Sequence, residues 1–562
     1  MCDDNRKPQI DAAESETLRM HGNSKHGNRE IPQASISEAD IGRDGEVGRS
    51  AKVEDRNADM HACGKSDDSI VPKNQTNKTG ELSRRSQGES AAESGEERES
   101  TKGNVGQTAA HRTPSRKRAS IGLEGVRLAA RRDKTLRLNN LLHHVTVELL
   151  AASYRALNPK AAPGVDGETW QSYGQNVQAR LTDLHSRVHR GTYRAKPSKR
   201  EWIPKPDGRQ RPLGIAALED KIVQQAVRTV LDQIYEEDFC GFSYGFRPKR
   251  GCHNALDALW VGLRQRKVNW VLDADISGFF DAIDHEWLMK FIEHRIADQR
   301  ILRLIRKWLR AGVSEDGEWS RTTVGVPQGA VISPLLANIY LHYVLDLWVD
   351  QWRRREARGD VIIVRYADDF AMGFQYRKEA ERFQRELRNR LAKFGLALHP
   401  GKTRLIRFGR FAIEQREKRG EGKPETFDFL GFTHCCAKTR KGWFTIRRLS
   451  IGKRMRATLK SIKIGLRRRM HLAMPAVGAW LRSVVRGWFN YHAVPGNSHR
   501  LGQFRKAVRR LWLHAIRRRS QRGRRWTWAR FSPIADRWLP HPKTQHPYPN
   551  QRLTVKPKVG AV

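Results

Sequence analysis

This sequence predicts an α+β protein of several domains, and three observations carry that prediction. First, Val361-Ile362-Ile363-Val364-Arg365-Tyr366 and Phe370-Ala371-Met372-Gly373-Phe374 flank Ala367-Asp368-Asp369. Apolar, β-branched runs on either side of two acids read as a tight β-hairpin with carboxylates at its turn. Second, another apolar run, Trp270-Val271-Leu272-Asp273-Ala274, leads into Asp275. Third, residues 451–470, 475–491 and 499–519 read as basic amphipathic helices, separated by Met474-Pro475 and Pro495-Gly496-Asn497.

Neighbouring carboxylates repel, so holding Asp368 and Asp369 on one turn costs stability unless a cation sits there. Alone, they read equally as an acidic surface turn. The second acidic strand changes this. With Asp275 beside the hairpin, carboxylates from two strands converge, as phosphoryl transfer by two metal ions about 3.5–4 Å apart requires. Between them lies Val324-Gly325-Val326-Pro327-Gln328-Gly329, followed by Ser333-Pro334-Leu335.

In this order, Asp275-Ile276-Ser277-Gly278-Phe279-Phe280-Asp281, then Pro327-Gln328-Gly329 with Ser333-Pro334-Leu335, then Tyr366-Ala367-Asp368-Asp369 resemble the palm of reverse transcriptases. From about residue 160 to residue 549 the wider pattern is similar to a bacterial group II intron-encoded reverse transcriptase and maturase. The resemblance implies a right-hand polymerase fold: fingers, a palm with an antiparallel sheet and helices, an α-helical thumb or maturase domain, and a basic C-terminal tail.

Composition points the same way. The chain has 562 residues, of which 38% are hydrophobic, enough for several cores. A net charge of +44 calls for a polyanionic partner. No apolar run approaches the roughly 20 residues of a spanning helix, so nucleic acid is expected rather than a membrane. Residues 1–40 show neither a signal-peptide core nor an amphipathic presequence. A soluble cytoplasmic protein, associated with the bacterial nucleoid through RNA and DNA, is therefore expected. Cys2, Cys63, Cys240, Cys252, Cys435 and Cys436 are too scattered for a disulfide scaffold or a spaced zinc site. Gly401-Lys402-Thr403 and Gly64-Lys65-Ser66 are not phosphate loops, because Leu396 and Asp59 stand where the first glycine belongs.

Residues 1–115 are polar, with few aromatics, and cannot bury enough apolar surface to offset chain entropy. They are expected to form a disordered extension. Residues 116–268 should hold an N-terminal extension and the fingers. Apolar spacing over 123–157 predicts helices, broken by Asn158-Pro159-Lys160-Ala161-Ala162-Pro163-Gly164-Val165-Asp166-Gly167, which the resemblance places over the template. Trp202-Ile203-Pro204-Lys205-Pro206-Asp207-Gly208-Arg209-Gln210-Arg211-Pro212-Leu213-Gly214-Ile215 reads as a hairpin turning at Asp207-Gly208. Its cations suit a solvated face. The resemblance implies instead that Lys205 and Arg211 neutralise the triphosphate of a deoxynucleoside triphosphate. Ile222, Val223, Ala226, Val227 and Val230 mark a helix over 218–231. Tyr244 and Arg247, in Ser243-Tyr244-Gly245-Phe246-Arg247-Pro248, resemble family residues that face the template or support the nucleotide pocket.

Residues 269–449 should form the palm. The resemblance makes Asp275, Asp368 and Asp369 the catalytic residues. With the backbone carbonyl of Ile276 they would hold two Mg2+ ions, hard cations that prefer oxygen ligands. A helix is expected to start at Asp284. Phe280 stands where the family places a ring under the sugar, which disfavours a 2′-hydroxyl; its other reading is a core phenylalanine, and strand alternation would send one of Phe279 and Phe280 to the core. Gln328 would help to seat the nucleotide, although Pro-Gln-Gly is also simply a turn. A helix over 379–394 should pack under the sheet. Lys402 would lie near nucleotide or template backbone. Phe427-Asp428-Phe429-Leu430-Gly431-Phe432 alternates as a strand, as an ordinary sheet edge also would, and resembles the primer grip, the hairpin that holds the growing 3′ end, which gives Phe429, Leu430 and Gly431 that role. His434-Cys435-Cys436 reads as structural, because adjacent cysteines cannot easily chelate one ion.

Residues 450–520 should be the helical thumb or maturase domain, with Trp488-Phe489-Asn490-Tyr491-His492 as its recognisable element, and 521–562 a basic tail of DNA-binding character. Arg517, Arg518, Arg519, Arg524, Arg525, Trp526 and Trp528 interleave guanidinium and indole groups, which suits RNA phosphates and unpaired bases. No paired Cys-x-x-Cys ligands of a His-Asn-His endonuclease follow, and His541 and His546 precede prolines. The chain is thus expected not to nick the second DNA strand itself. The partners implied are group II intron RNA, a DNA target with its primer, and deoxynucleoside triphosphates, with a homodimer left open. Two other readings stand beside this one. A splicing cofactor with a degenerate polymerase is opposed by the intact Asp275, Asp368, Asp369, Phe280 and Gln328. A reverse transcriptase of another bacterial retroelement is opposed by the Trp488 to His492 element.

Overall fold

A computed structural model describes residues 114–204 and 210–552. The expected extension over 1–115 lies almost wholly outside the described residues. So do Lys205, the Asp207-Gly208 turn and residues 553–562.

The chain opens with helices α1 (Pro114–Arg132), α2 (Val147–Ala156), α3 (Trp170–Gly174) and α4 (Val177–Arg190). Thr146 caps α2 by accepting the amide of Leu149, and the 158–167 stretch is a loop, as its turn residues predict. Strands β1 (Ser198–Pro204) and β2 (Gln210–Ile215) form the expected hairpin. Then come α5 (Leu218–Asp238), longer than its predicted 218–231, and α6 (Cys252–Gln265).

Strand β3 (Trp270–Ala274) leads to the single turn α7 (Phe279–Ala282), to α8 (His285–Glu293) and to the amphipathic α9 (Gln299–Arg310). Asp284 caps α8 as predicted, accepting from the Trp287 amide at 2.8 Å. Strands β4 (Val313–Glu315) and β5 (Glu318–Ser320) extend the first hairpin into a four-stranded sheet, β4 running parallel to β1. Helix α10 (Ser333–Leu341) passes through a widened turn at His342–Asp346 into α11 (Leu347–Arg355).

Strands β6 (Val361–Tyr366) and β7 (Asp369–Phe374), helix α12 (Arg377–Ala392) and strand β8 (Arg404–Arg407) complete the central sheet, ordered β6-β7-β3-β8 and antiparallel throughout. Its strands are apolar on both faces because each face meets its own core. Leu272, Ile363, Met372 and Phe374 join the larger core with Phe383 of α12. Val271, Ile362, Val364 and Ala371 face a second core with α6. Alternate residues point to opposite sides, so an unbroken apolar run marks a sheet covered on both.

The second core also contains β9 (Phe427–Phe429), β10 (Phe432–Lys438) and β11 (Phe444–Ser450), after the short helix α13 (Ala412–Glu417). Its most buried polar ring is His434, stacked on Phe427 at 4.8 Å. Burial, and after it the Arg448 guanidinium, pull its pKa down to about 3. Because the unfolded imidazole takes up a proton near 6.5, the stability supplied by the neutral ring is complete above that pH. It is lost as pH falls toward 3. Compared with wild type, His434→Phe is expected to lose about 2 kcal/mol less stability between pH 7 and pH 4.5, measured as urea midpoints at each pH.

A third core holds the predicted helices as α14 (Gly452–Arg468), α15 (Met474–His492) and α16 (Ser498–Arg517). The tail expected over 521–562 behaves differently as far as Arg552. Short helix α17 (Gln521–Arg524) leads to α18 (Trp528–Trp538), whose Phe531 and Ala535, with Leu539 beyond it, are buried in that core. The chain then returns along α15, where the amide of Gln545 donates to Ala493, and α19 (Pro549–Arg552) docks on α6. Apolar burial outweighs the density of charge in this segment.

Candidate active site

Asp275 owes its position to β3, the strand between β7 and β8. Ala274 pairs with Phe370, so the next residue of β3 stands beside Asp369, at the mouth of the β6–β7 hairpin. Backbone bonds continue the line: the His399 amide donates to the Asp275 carbonyl at 2.7 Å and the Ser277 amide to Ala397 at 2.8 Å. Tyr366 pairs with Asp369, which leaves Ala367 and Asp368 as a two-residue turn, with Ala367 at a φ of +57°.

Asp368 and Asp369 both register the neighbouring carboxylates. Asp369 opens to solvent, yet its pKa is pushed up to about 6, first by the protein crowded around it, then by Asp368 and Asp275. Burial raises Asp368 too, with Asp275 adding to the shift and Arg211 opposing it. Lys402 places its ammonium on the Asp275 carboxylate. The neighbouring Asp273 pairs with Arg404 at 3.2 Å, and burial raises its pKa, with Asp428 and Asp275 adding to the rise. Among the described residues, no three His, Cys, Asp or Glu side chains are gathered closely enough to hold a metal as they stand. The donor set still fits a hard divalent cation: carboxylate oxygens that repel one another, with a cationic ammonium already seated on one of them. Ile276, the expected carbonyl ligand, is buried directly after Asp275.

Backbone hydrogen bonds bring together three of the segments expected to bind the nucleotide. The Val326 amide donates to the Phe280 carbonyl at 2.8 Å, and the Gly214 amide to the Gln328 carbonyl at 2.7 Å. Phe280, Gln328 and the strand bearing Arg211 thus share one neighbourhood. Phe279 is the buried member of the pair and Phe280 is half-buried, but they lie on a helical turn rather than on alternating strand positions. Tyr244 and Arg247 do not reach this pocket as free groups. Tyr244 is buried, and Arg247 is buried with its guanidinium on Glu236 at 3.0 Å and on the Ser243 carbonyl at 2.7 Å.

The 427–432 stretch, whose alternation suggests one strand and whose resemblance implies a hairpin, is two strands around a tight turn, with Leu430 at φ +44° and Gly431 at φ +83°. Phe429 lies in the second core, and β9 packs against β7. The turn therefore lies near the carboxylates.

Sequence reasoning missed three side chains here. Arg365, fully buried, spans Asp346, Asn338, Ser243 and the carbonyl of Ala367 at the catalytic turn. A charged residue inside Val361-Ile362-Ile363-Val364-Arg365 was its only signal. Arg454 of α14 lowers the pKa of Asp369, and a Cβ on Gly431 would lie 3.2 Å from its guanidinium. Tyr491 of α15 donates its hydroxyl to the Leu430 carbonyl at 2.7 Å. Nothing in their local spacing marks these two.

The expected RNA-binding set lies in the third core's region, and its aromatic members are partly committed. Arg517 donates to the Trp526 carbonyl at 2.8 Å, Arg530 covers the half-buried Trp526, and Arg509 covers Trp528. Arg518, Arg524 and Arg525 are exposed and Arg519 is half-buried. No helix among the described residues is long and apolar enough to cross a membrane.

Residues 203–434 match the family described as reverse transcriptase (RNA-dependent DNA polymerase). Over 332 residues the chain is 35% identical to protein YkfC of Escherichia coli (strain K12), which covers 51% of this chain and 87% of that protein. It is 44% identical over 169 residues to the group II intron-encoded protein LtrA of Lactococcus lactis subsp. cremoris, 29% of this chain and 27% of LtrA. It is 29% identical over 123 residues to nuclear intron maturase 4, mitochondrial, of Arabidopsis thaliana, 22% of this chain and 15% of that protein. The chain thus spans about a quarter or less of these two intron-associated relatives.

Proposed function

The chain belongs to the reverse transcriptase family of group II intron-encoded proteins, and on that premise we propose that it is an RNA-directed DNA polymerase. It also binds its parent intron RNA, assists splicing and supports intron mobility by target-primed reverse transcription. Residues 116–268 serve as N-terminal extension and fingers, 269–449 as palm, and 450–520 as thumb, to which α17 and α18 add. The observation that carries the reading is the pairing of β3 with β7, which brings Asp275 to Asp368 and Asp369.

Two Mg2+ ions, held by Asp275, Asp368, Asp369 and the Ile276 carbonyl, would activate the primer 3′-hydroxyl and clamp the reacting phosphate when bound. The protein's own groups do the rest. Arg211, with Lys205, neutralises the triphosphate as negative charge moves to the leaving pyrophosphate. Gln328 seats the nucleotide. Phe280 closes the space under the sugar. The Leu430-Gly431 turn holds the 3′ end of the primer, with Arg454 beside it to meet a primer phosphate. Exposed arginines of the third core meet intron RNA, and the protein works in the cytoplasm at the nucleoid.

The test is magnesium-dependent extension of a DNA primer on an RNA template. Two variants sharpen it. Phe280→Ala is expected to lower discrimination against ribonucleotides by about 10- to 100-fold, read from kcat/KM with each nucleotide. Arg454→Ala is expected to raise the primer KM about tenfold and leave kcat within about twofold, because a phosphate contact is made before and during reaction alike. One observation favours the reading as a splicing cofactor alone, namely the seating of Lys402 on Asp275. Lys402→Ala that restores no extension to an inactive protein, while splicing assistance persists, would select that reading.

A further inference from the structure

The β10–β11 hairpin ends in Lys438-Thr439-Arg440-Lys441-Gly442-Trp443, a segment that the active site does not use. Trp443 is 71% exposed, more than any other large apolar side chain among the described residues. Its loop is stiff. The Thr439 amide donates to the Trp443 carbonyl at 2.7 Å, the Gly442 amide to Thr439 at 3.0 Å, and the Trp443 amide to the Thr439 hydroxyl at 3.1 Å, with Gly442 at φ +81°. The indole is therefore presented in advance, at little entropic cost on binding.

Several other indoles near the surface are covered, and Trp319, 58% exposed with no cation over it among the described residues, is tied by its indole nitrogen to the Ala311 carbonyl at 3.0 Å. Arg200 lies over Trp202, Arg469 over Trp480, Arg509 over Trp528, Arg530 over Trp526 and Arg482 over Trp538. No cation lies over Trp443 among the described residues. Lys438, Arg440 and Lys441 are exposed, and among the described residues none of them pairs with a carboxylate. An uncovered aromatic ring on the same hairpin tip as three exposed, unneutralised cations, on a chain of net charge +44, suits a base whose phosphates lie alongside.

We propose that this tip is a binding site for an unpaired base of a folded RNA, stacked on Trp443 with its flanking phosphates on Lys438, Arg440 and Lys441. A template–primer duplex is the poorer fit, because its bases are already stacked on one another, whereas loops and bulges of structured RNA offer open faces. The strands place the tip about 20 Å from the Leu430-Gly431 turn, at roughly 3.3 Å per residue, clear of the carboxylates. The inference rests on the proposed intron-RNA binding and names one of its contacts.

The test uses the full-length protein with a folded group II intron transcript and, separately, a short RNA template annealed to a DNA primer. Trp443→Ala is expected to bind the transcript about tenfold more weakly, with Trp443→Phe close to wild type. Arg440→Ala/Lys441→Ala is expected to reduce the slope of log affinity against log salt by about 1.4 to 1.8. Extension on the short template should stay unchanged in all three. Equal transcript affinity for wild type and Trp443→Ala overturns the inference. So does a parallel loss of extension, which would make the tip a duplex contact, or a loss of self-association with RNA affinity intact, which would make it a subunit contact. A wild-type protein that does not prefer the intron transcript over an unstructured RNA of equal length overturns the wider reading instead.

Discussion

Asp368→Ala is expected to lower primer extension by at least about 10³-fold, the scale seen when a group stabilising transition-state charge is removed. The turn itself should survive. Asp368 is half-buried at a hairpin tip, and its removal relieves repulsion that already raises Asp369. The variant should therefore match wild type in thermal midpoint or exceed it, and it should still bind intron RNA and assist splicing. Extension equal to wild type would remove the assigned site. Loss of splicing together with extension would show that the two activities cannot be separated by one carboxylate. Asp275→Asn provides a second arm, since it also removes the charge that Lys402 meets.

Arg365→Met carries the largest expected cost in stability, about 3–5 kcal/mol, because it leaves Asp346 buried and without its cation. Both side chains of that pair are fully buried, and the guanidinium reaches Asp346 at 2.7 Å, Asn338 at 3.0 Å, Ser243 at 2.7 Å and the Ala367 carbonyl at 2.9 Å. Lysine cannot replace that planar fork. Pairing Arg365→Met with Asp346→Leu is expected to restore much of the urea midpoint, because the orphaned charge goes as well. Extension should stay depressed in the double variant, since nothing then holds the Ala367 carbonyl beside Asp368. Full recovery of both would make Arg365 a folding residue alone. Gly245 bears on the same turn: a Cβ there would lie 2.2 Å from the Ala367 amide nitrogen, so Gly245→Ala should force the hairpin outward.

Much of this was legible locally. The two runs flanking Asp368 and Asp369 form β6 and β7, Asp284 caps α8, and the periodicity over 451–519 becomes α14, α15 and α16. Each of these rests on signals only a few residues apart. Phe279 and Phe280 show the limit: one of the two was expected in the core, but through strand alternation, and both lie on a helical turn. The 427–432 stretch shows it again, because alternation cannot reveal that Leu430 and Gly431 turn the chain. The segment 521–552 was harder still. Dense charge and Pro533 argue against a helix, yet Phe531 and Ala535 find a core made by residues far earlier in the chain.

The sequence by itself singled out the side chains proposed to carry the chemistry, since adjacent acids between apolar runs, a second acid ending a strand, and an excess of cations are properties of composition and spacing. The tertiary structure alone decided who meets whom. It paired β3 with β7, seated Lys402 on Asp275, placed Arg365 under the catalytic turn and brought Arg454 and Tyr491 from the helical region to Gly431 and Leu430. The physical reason is range. Periodicity reports only how a segment divides its faces, whereas most of these contacts join separate segments, Asp275 and Lys402 being 127 positions apart, and exist only once three separate cores have closed.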